Sequence, residues 1–303
     1  MIKNNLNVLL LVSSIFLVFS RFIFAQTTLP PNGYSLIWND EFNGNTLDLT
    51  KWAYRYTDKY ITIDTLKNGM VVYVNHSPKS VSLNGAGLLS IKTFLSNDTL
   101  YTGMIATQNL FEQKYGYFEA RVKFEKLQGH HGSFWLQSPT YGNPINDPAT
   151  AGTEIDDIEF FGSGRSDRGA TCGVYWNPYS KPAHVGTTIN LTPIIGPSPA
   201  ELCDDFHKFG LLWTDSAYTY YIDGHQVFTT NLGISKRTEY LLLSLSCSSW
   251  EAPRLDPNLL PDSMIVDYVR VYAPSSVSDV QISNNKIYNY RLGNYPNPFN
   301  QVP

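Results

Sequence analysis

Charge is scarce in this chain of 303 residues. Asp, Glu, Lys and Arg make up 16% of it, where about 25% is usual. The balance is not basic either: 22 Lys and Arg stand against 26 Asp and Glu, for a net charge of -4. A nucleic-acid binder or an anionic-membrane binder needs a positive footprint, so the composition argues against both. Cysteine is rarer still. Cys172, Cys203 and Cys247 make no close pair, which rules out a zinc ribbon or a small disulfide scaffold. Helical periodicity and internal repeats are missing, and so is a phosphate-binding glycine loop; Gly162-Ser163-Gly164 is a lone turn. The one long apolar run, Leu6 to Phe19, is interrupted at Arg21, short of the ~20 residues that a membrane span needs. With Lys3 before it and Ala25-Gln26 after it, the run reads as a secretory signal peptide cleaved after Ala25, leaving a secreted or cell-surface protein with no membrane attachment.

What the chain does have is rings and alternation. Aromatic residues reach 14% and apolar residues 43%, ample for a large core. Tyr117 to Phe124 alternates with period two, as a strand with one dry and one wet face does. Tyr218 to Ile222 runs through Asp223-Gly224 into His225 to Thr229, a hairpin signature. Met264 to Tyr272 alternates again. Short strands at this spacing, parted by Gly, Asn, Asp and Pro, predict an all-β sandwich or barrel over 26–273.

The most informative stretch is Glu154-Ile155-Asp156-Asp157-Ile158-Glu159-Phe160-Phe161-Gly162. Acids interleaved with isoleucines and followed by two phenylalanines read as a strand in a sheet. In a regular strand Glu154 and Asp156 share one face and Glu159 lies on the other, where ionisation inside a sandwich core costs several kcal/mol. One extra residue between Asp156 and Glu159 restores parity, so a β-bulge there is expected, with all three acids on one face. Asp157 then lies off that face and is structural. With the bulge, Glu154 and Glu159 are roughly 13 Å apart at Cα, at ~3.3 Å per strand step. A reach of roughly 4 Å for each side chain leaves the carboxyls about 5 Å apart, the separation of a retaining glycosidase rather than the ~6.5–9.5 Å of an inverting one.

The pattern E-x-D-x-x-E resembles the bulged motif of glycoside hydrolase family 16, and other blocks of the chain resemble that family in order. Ser35 to Gly44 with Leu47-Asp48 and Lys51-Trp52 resembles its N-terminal signature, and Gly116 to Arg121 followed by Gly132 to Leu136 the strand pair before the motif. Asp205 to Trp213 with Tyr221 to Gly224 resembles the segment after it, and Val266 to Tyr272 the last strand. The resemblance implies a jelly-roll sandwich of two antiparallel, concanavalin-like sheets with the motif strand in a concave cleft. It implies Glu154 as nucleophile and Glu159 as general acid/base, with Asp156 between them, bonded to the nucleophile. Two nearby carboxylates do not ionise equally, so one keeps its proton and serves as the acid. The partner implied is a polysaccharide, cut at internal β-linkages; the first expectation is a laminarin-type β-1,3-glucan. An algal galactan such as agar, porphyran or carrageenan is the alternative, and a non-catalytic carbohydrate-binding sandwich the rival. A sulfated substrate wants basic residues in the cleft, for which Arg165, Arg168 and Lys181 are the candidates.

Sugars present flat apolar faces, so aromatic platforms are expected in such a cleft. By the resemblance Trp135 and Trp250 fill that role, while Trp38, Trp52 and Trp213 are assigned to the core. Glu119 and Arg121 share the wet side of their strand, as cleft residues or as a surface ion pair. His207 matches a family position near the sheet, as a substrate contact or a structural histidine. Many members carry a histidine near the acid/base on the next strand; Tyr175 aligns there instead, and His184 is placed to compensate from a loop. No cofactor is needed for the chemistry, but a structural calcium is implied, with Glu41, Asp267 and a carbonyl near Gly87 as ligands. One disulfide plus a free thiol is expected, with Cys172–Cys203 the candidate pair. Beyond 273, Asn294-Tyr295-Pro296-Asn297-Pro298-Phe299-Asn300 resembles the start of a C-terminal sorting region, making the type IX secretion machinery an expected partner. The expected organisation is a signal peptide over 1–25, a catalytic domain over 26–273, and a linker with the truncated start of that region over 274–303.

Overall fold

The computed structural model of the protein describes residues 29–56 and 61–275. The apolar leader and the tail with its sorting-like motif lie outside the described residues. Within them the chain is nearly all β, with two helices of four residues each, Pro148–Ala151 and Thr192–Ile195.

Two antiparallel sheets face each other. The first runs Ala53–Tyr54, Thr99–Ala106, Tyr240–Ser246, His131–Gln137, Glu154–Phe160, Ala170–Trp176 and Ala183–Thr188, from edge to edge. The second is built on Asp262–Pro274, which pairs with Tyr34–Asp40, Leu89–Ser96 and Gly116–Lys123. It continues through His207–Trp213 to the hairpin Tyr218–Ile222 and His225–Thr230. That hairpin turns at Asp223 and Gly224, both at positive φ (50° and 80°), as a type I′ turn requires. A parallel pairing of Val71–His76 with Thr99–Ala106 adds a short flap beside the first sheet.

Period-two alternation decides what fills the space between the sheets. Phe134, Leu136, Ile155, Ile158, Phe160, Val174, Leu241 and Leu243 point inward from the first sheet, all fully buried. They meet Phe118, Ala120, Val122, Phe209, Leu211 and Val269 from the second. Trp52 and Trp213 are core residues, fully buried, and Trp38 stacks on Phe111 at 5.1 Å.

Asp157 is the exception in this apolar layer. It is 3% exposed, and among the described residues neither of its carboxylate oxygens has a hydrogen-bond partner. Burial, with the charge of Glu119 second, pushes its carboxyl well above the usual carboxylate range. An unfolded Asp ionises near pH ~3.9, whereas the folded protein holds this proton to far higher pH. The folded state therefore binds more protons than the unfolded one above that point, and stability falls as pH rises. Asp157→Val is expected to stabilise the protein by about 1–3 kcal/mol, with a larger gain at pH ~8 than at pH ~4.5. Urea unfolding at both pH values measures this; an equal effect at the two, or a loss, would show that the carboxyl is satisfied in the folded state.

Candidate active site

The irregularity in Glu154–Phe160 builds the site. Against Ala170–Trp176 the register slips between Asp156 and Glu159, and against His131–Gln137 it slips between Asp156 and Ile158. Three rows then cross the sheet. Glu154 lies between Gln137 and Tyr175, Asp156 between Trp135 and Gly173, and Glu159 between Ser133 and Thr171. The three carboxylates line one groove of about 1210 Å³, with Trp135, Tyr175 and Trp250 in its walls. Gly173 and its cross-strand partner Gly186 lower the floor beside Asp156; a Cβ on Gly173 would come 2.8 Å from the Val185 carbonyl oxygen.

The environments of the two glutamates differ. Glu154 Oε2 accepts hydrogen bonds from Gln137 Nε2 (2.7 Å) and from the Tyr179 hydroxyl. Burial raises the Glu154 carboxyl, and those two bonds offset only part of the rise. Glu159 receives only a long contact from Thr171 Oγ1, at 3.4 Å. Burial first and the charge of Glu154 second push Glu159 up to about 7. Asp156 is raised by burial and then by its two glutamate neighbours. Such an asymmetry leaves one carboxylate able to attack while the other carries a proton to give.

Rings shape the two ends of the groove. Trp250 is 58% exposed, stacks on His131 at 5.8 Å and contacts Phe161 at 5.4 Å. Glu251, next in the chain, is clamped by Arg165 and Arg254, each at 3.1 Å, which fixes the Trp250 turn. His131 Nε2 lies 4.0 Å from Glu159 Oε1, and burial depresses the ring to about 4, so it is neutral at pH ~7. At the other end Tyr179 packs on Tyr141, ring centroids 5.2 Å apart. Gly142, at φ +80°, lets this loop lie against Pro178, which a Cβ would meet at 2.9 Å.

Residues 67–269 match the family described as glycosyl hydrolases family 16. The chain belongs to that family. Over 275 residues it is 26% identical to glucan endo-1,3-beta-glucosidase A1 of Niallia circulans, covering 79% of this chain and 38% of the relative. Against the keratan-sulfate endo-1,4-beta-galactosidase of Sphingobacterium multivorum it is 24% identical, covering 86% of this chain and 60% of the relative. The chain thus spans less than two thirds of either relative. The laminarinase catalytic domain of Thermotoga maritima MSB8 superposes with a TM-score of 0.61 at 21% identity, over 79% of this chain and 98% of that domain. This likeness carries the fold, a jelly-roll sandwich.

The family 16 chain departs from its expected site in several places. Glu119, Arg121 and His207 sit on the second sheet, not in the groove. Glu119 is buried and accepts from the Tyr117 hydroxyl (2.9 Å) and the Tyr268 hydroxyl (2.8 Å). Arg121 pairs with Asp267 at 2.6 Å, and His207 Nδ1 with Asp223 Oδ2 at 2.6 Å. The expected calcium ligands are committed elsewhere. Both oxygens of Glu41 bind the Arg270 guanidinium (2.8 and 2.9 Å), and Asp267 is held by Arg121. Among the described residues no group of three or more His, Cys, Asp or Glu side chains is gathered to hold a metal. As placed, the carboxylates of Glu41 and Asp267 each face an arginine. All three cysteines are free and buried, so the Cys172–Cys203 pair does not form.

Within the groove two expectations shift. Asp156 is not what bonds Glu154; Gln137 and Tyr179 are. Tyr175 stands beside Glu154 rather than Glu159, stacked at 4.9 Å on His184, which lies on a strand and not on a loop. Thr171 and His131 flank Glu159 instead. Residues 131, 133, 135 and 137 share one parity, so the Trp135 platform already pointed to His131 and Gln137. Tyr179, in a loop, left no periodic signal.

Proposed function

We propose that the protein is a retaining endo-glycosidase that hydrolyses internal linkages of a neutral β-linked polysaccharide, most directly a β-1,3-glucan. One observation carries the reading: Glu154, Asp156 and Glu159 line a single groove, with Glu159 poised near neutrality. Glu154 attacks the anomeric carbon while Glu159 protonates the departing glycosidic oxygen. Glu159, now ionised, then takes a proton from the water that releases the sugar, so configuration is retained. Asp156, between them, tunes how the pair shares protons.

The lining of the groove supports an uncharged substrate. Among the described residues it contains three carboxylates and no lysine or arginine. Arg165 is spent on Glu251 and Asp167, and Arg168 on the carbonyls of Gly196 and Ala200. Lys181 is exposed and outside the groove. A sulfate or uronate brought beside three acids without a cation meets repulsion in a low-dielectric setting. A polymer of this kind is met outside the cell, in keeping with the leader-like start of the sequence. The laminarinase fold likeness and the glucanase relative point the same way, while the galactosidase relative marks the alternative.

The test is a panel of laminarin, mixed-linkage β-glucan, agarose, porphyran and keratan sulfate, with products sized and the first-formed anomer read by proton NMR. Laminarin cut to short oligosaccharides of β configuration is expected, with the sulfated polymers untouched. An α-anomer would overturn retention, preference for a sulfated galactan would overturn the neutral-substrate reading, and silence on every glycan would favour a binding module.

A further inference from the structure

The nucleophile proposed above is held by a hydrogen-bonded chain whose polarity is fixed from one end. Arg55 carries only donors. Its NH2 group donates to the Tyr240 hydroxyl oxygen at 3.3 Å, and the guanidinium lies 5.1 Å from the Tyr240 ring centroid. Tyr240 must then send its own proton onward, and it donates to Gln137 Oε1 at 2.6 Å. That bond decides which way the Gln137 amide faces, because an amide oxygen that accepts on one side leaves the NH2 on the other. Gln137 Nε2 accordingly donates to Glu154 Oε2 at 2.7 Å. The Tyr179 hydroxyl donates to the same oxygen and receives a second bond from Gln137 Nε2 at 2.9 Å. Both donors converge on Oε2, and Oε1 is left for the anomeric carbon.

We infer that Arg55, Tyr240 and Gln137 are positioning residues that keep Glu154 ionised and present one chosen oxygen to the substrate. The inference rests on Glu154 being the nucleophile. The need for such a device is visible in the surroundings. Asp156 and Glu159 flank Glu154 on its own strand, Glu239 lies behind it, and Tyr141, Tyr175 and Tyr179 face it from neighbouring segments. Burial opposes ionisation of Glu154, and any of these acids that ionised would add its charge to that opposition, whereas the neutral Tyr179 hydroxyl donates to Glu154. The chain answers with donors that bind the ionised form more strongly than the neutral one, and it begins at a permanent cation. The strands supply the geometry: Gln137 stands opposite both Glu154 and Tyr240 across the sheet, so one side chain bridges three neighbouring strands. The glutamine is spaced 17 residues from Glu154 and 103 from Tyr240, so neither contact is visible as a local motif.

Tyr240→Phe keeps the ring and deletes the proton that orients Gln137. On laminarin it is expected to lower kcat about tenfold or more, with KM changed less than about threefold, consistent with the loss of a bond coupled to a charge. The acidic limb of kcat/KM is expected to move up by about half a pH unit or more, because the ionised form of Glu154 has lost support. Gln137→Leu is expected to do the same with a larger shift, and it carries the test if Tyr240→Phe does not fold. Glu154→Gln is run beside them. If Glu154→Gln is inactive while Tyr240→Phe and Gln137→Leu keep both kcat and the acidic limb, the positioning chain is overturned and the nucleophile stands. A fall in kcat with an unmoved limb also overturns it, since that is what loose packing alone would give. If Glu154→Gln stays active, it is the nucleophile assignment that fails.

Discussion

Glu154→Gln is expected to lower kcat on laminarin by about 10⁴-fold or more, a barrier increase of about 5.5 kcal/mol. Removing the attacking group leaves no path to a glycosyl-enzyme, and the remaining groove supplies only binding. Glutamine keeps the shape, and its amide can still meet Tyr179, so folding and affinity for an oligosaccharide are expected to change little. The expected signature is therefore a kcat loss at nearly constant Kd, read by calorimetry alongside rate. Glu154→Ala opens space for a small anion. Azide placed in that space attacks the face that Glu154 used, so the product is an α-glycosyl azide, inverted relative to the β-linked substrate. Retained activity in Glu154→Gln, or a rescued product of β configuration, would remove Glu154 from the role.

Residues that act through one strand were legible in the sequence. Parity alone demanded an extra residue between Asp156 and Glu159, because an ionised glutamate does not go into an apolar layer without a partner. The register slips at that point on both sides of the strand. Asp223-Gly224 named its own turn, since both residues tolerate positive φ. What the sequence hid were contacts between strands distant along the chain. Glu119 occupies a wet-side position by alternation, yet Tyr117 and Tyr268 close over it and bury it. Tyr117 reaches Glu119 by lying across Gly210, where a Cβ would meet its hydroxyl oxygen at 2.2 Å. Period two says which face a side chain leaves from, not what folds down on top of it. Tyr175 is placed near Glu159 only by alignment on the family pattern, and the antiparallel register disagrees: Tyr175 stands opposite Glu154, and Thr171, four residues earlier, stands opposite Glu159. Arg55 and Tyr179 lie outside the alternating runs, and only the closed sheet brings them to Glu154.

The second large effect belongs to Glu159, and it separates two steps of one reaction. In Glu159→Ala, cleavage of laminarin is expected to fall by about 10²–10⁴-fold, because an unactivated sugar leaves only if its oxygen is protonated. An aryl glycoside with an acidic phenol leaves without that help. Its first step is expected to stay fast in the variant while the second slows, since no base remains to take the proton from water; a burst of phenol followed by slow turnover reports this. Azide needs no base. Added azide is expected to accelerate turnover and to give a β-glycosyl azide, the opposite anomer from the Glu154→Ala rescue. The pH profile supplies an independent check. Glu159 sits near 7 because burial and the charge of Glu154 both oppose its ionisation. The active form holds that proton, so kcat/KM of the native protein is expected to fall as pH rises through about 7. In Glu159→Ala, assayed on the aryl glycoside, that alkaline limb is expected to vanish. Its survival there would assign the limb to another group in the groove, with Asp156 the next to test.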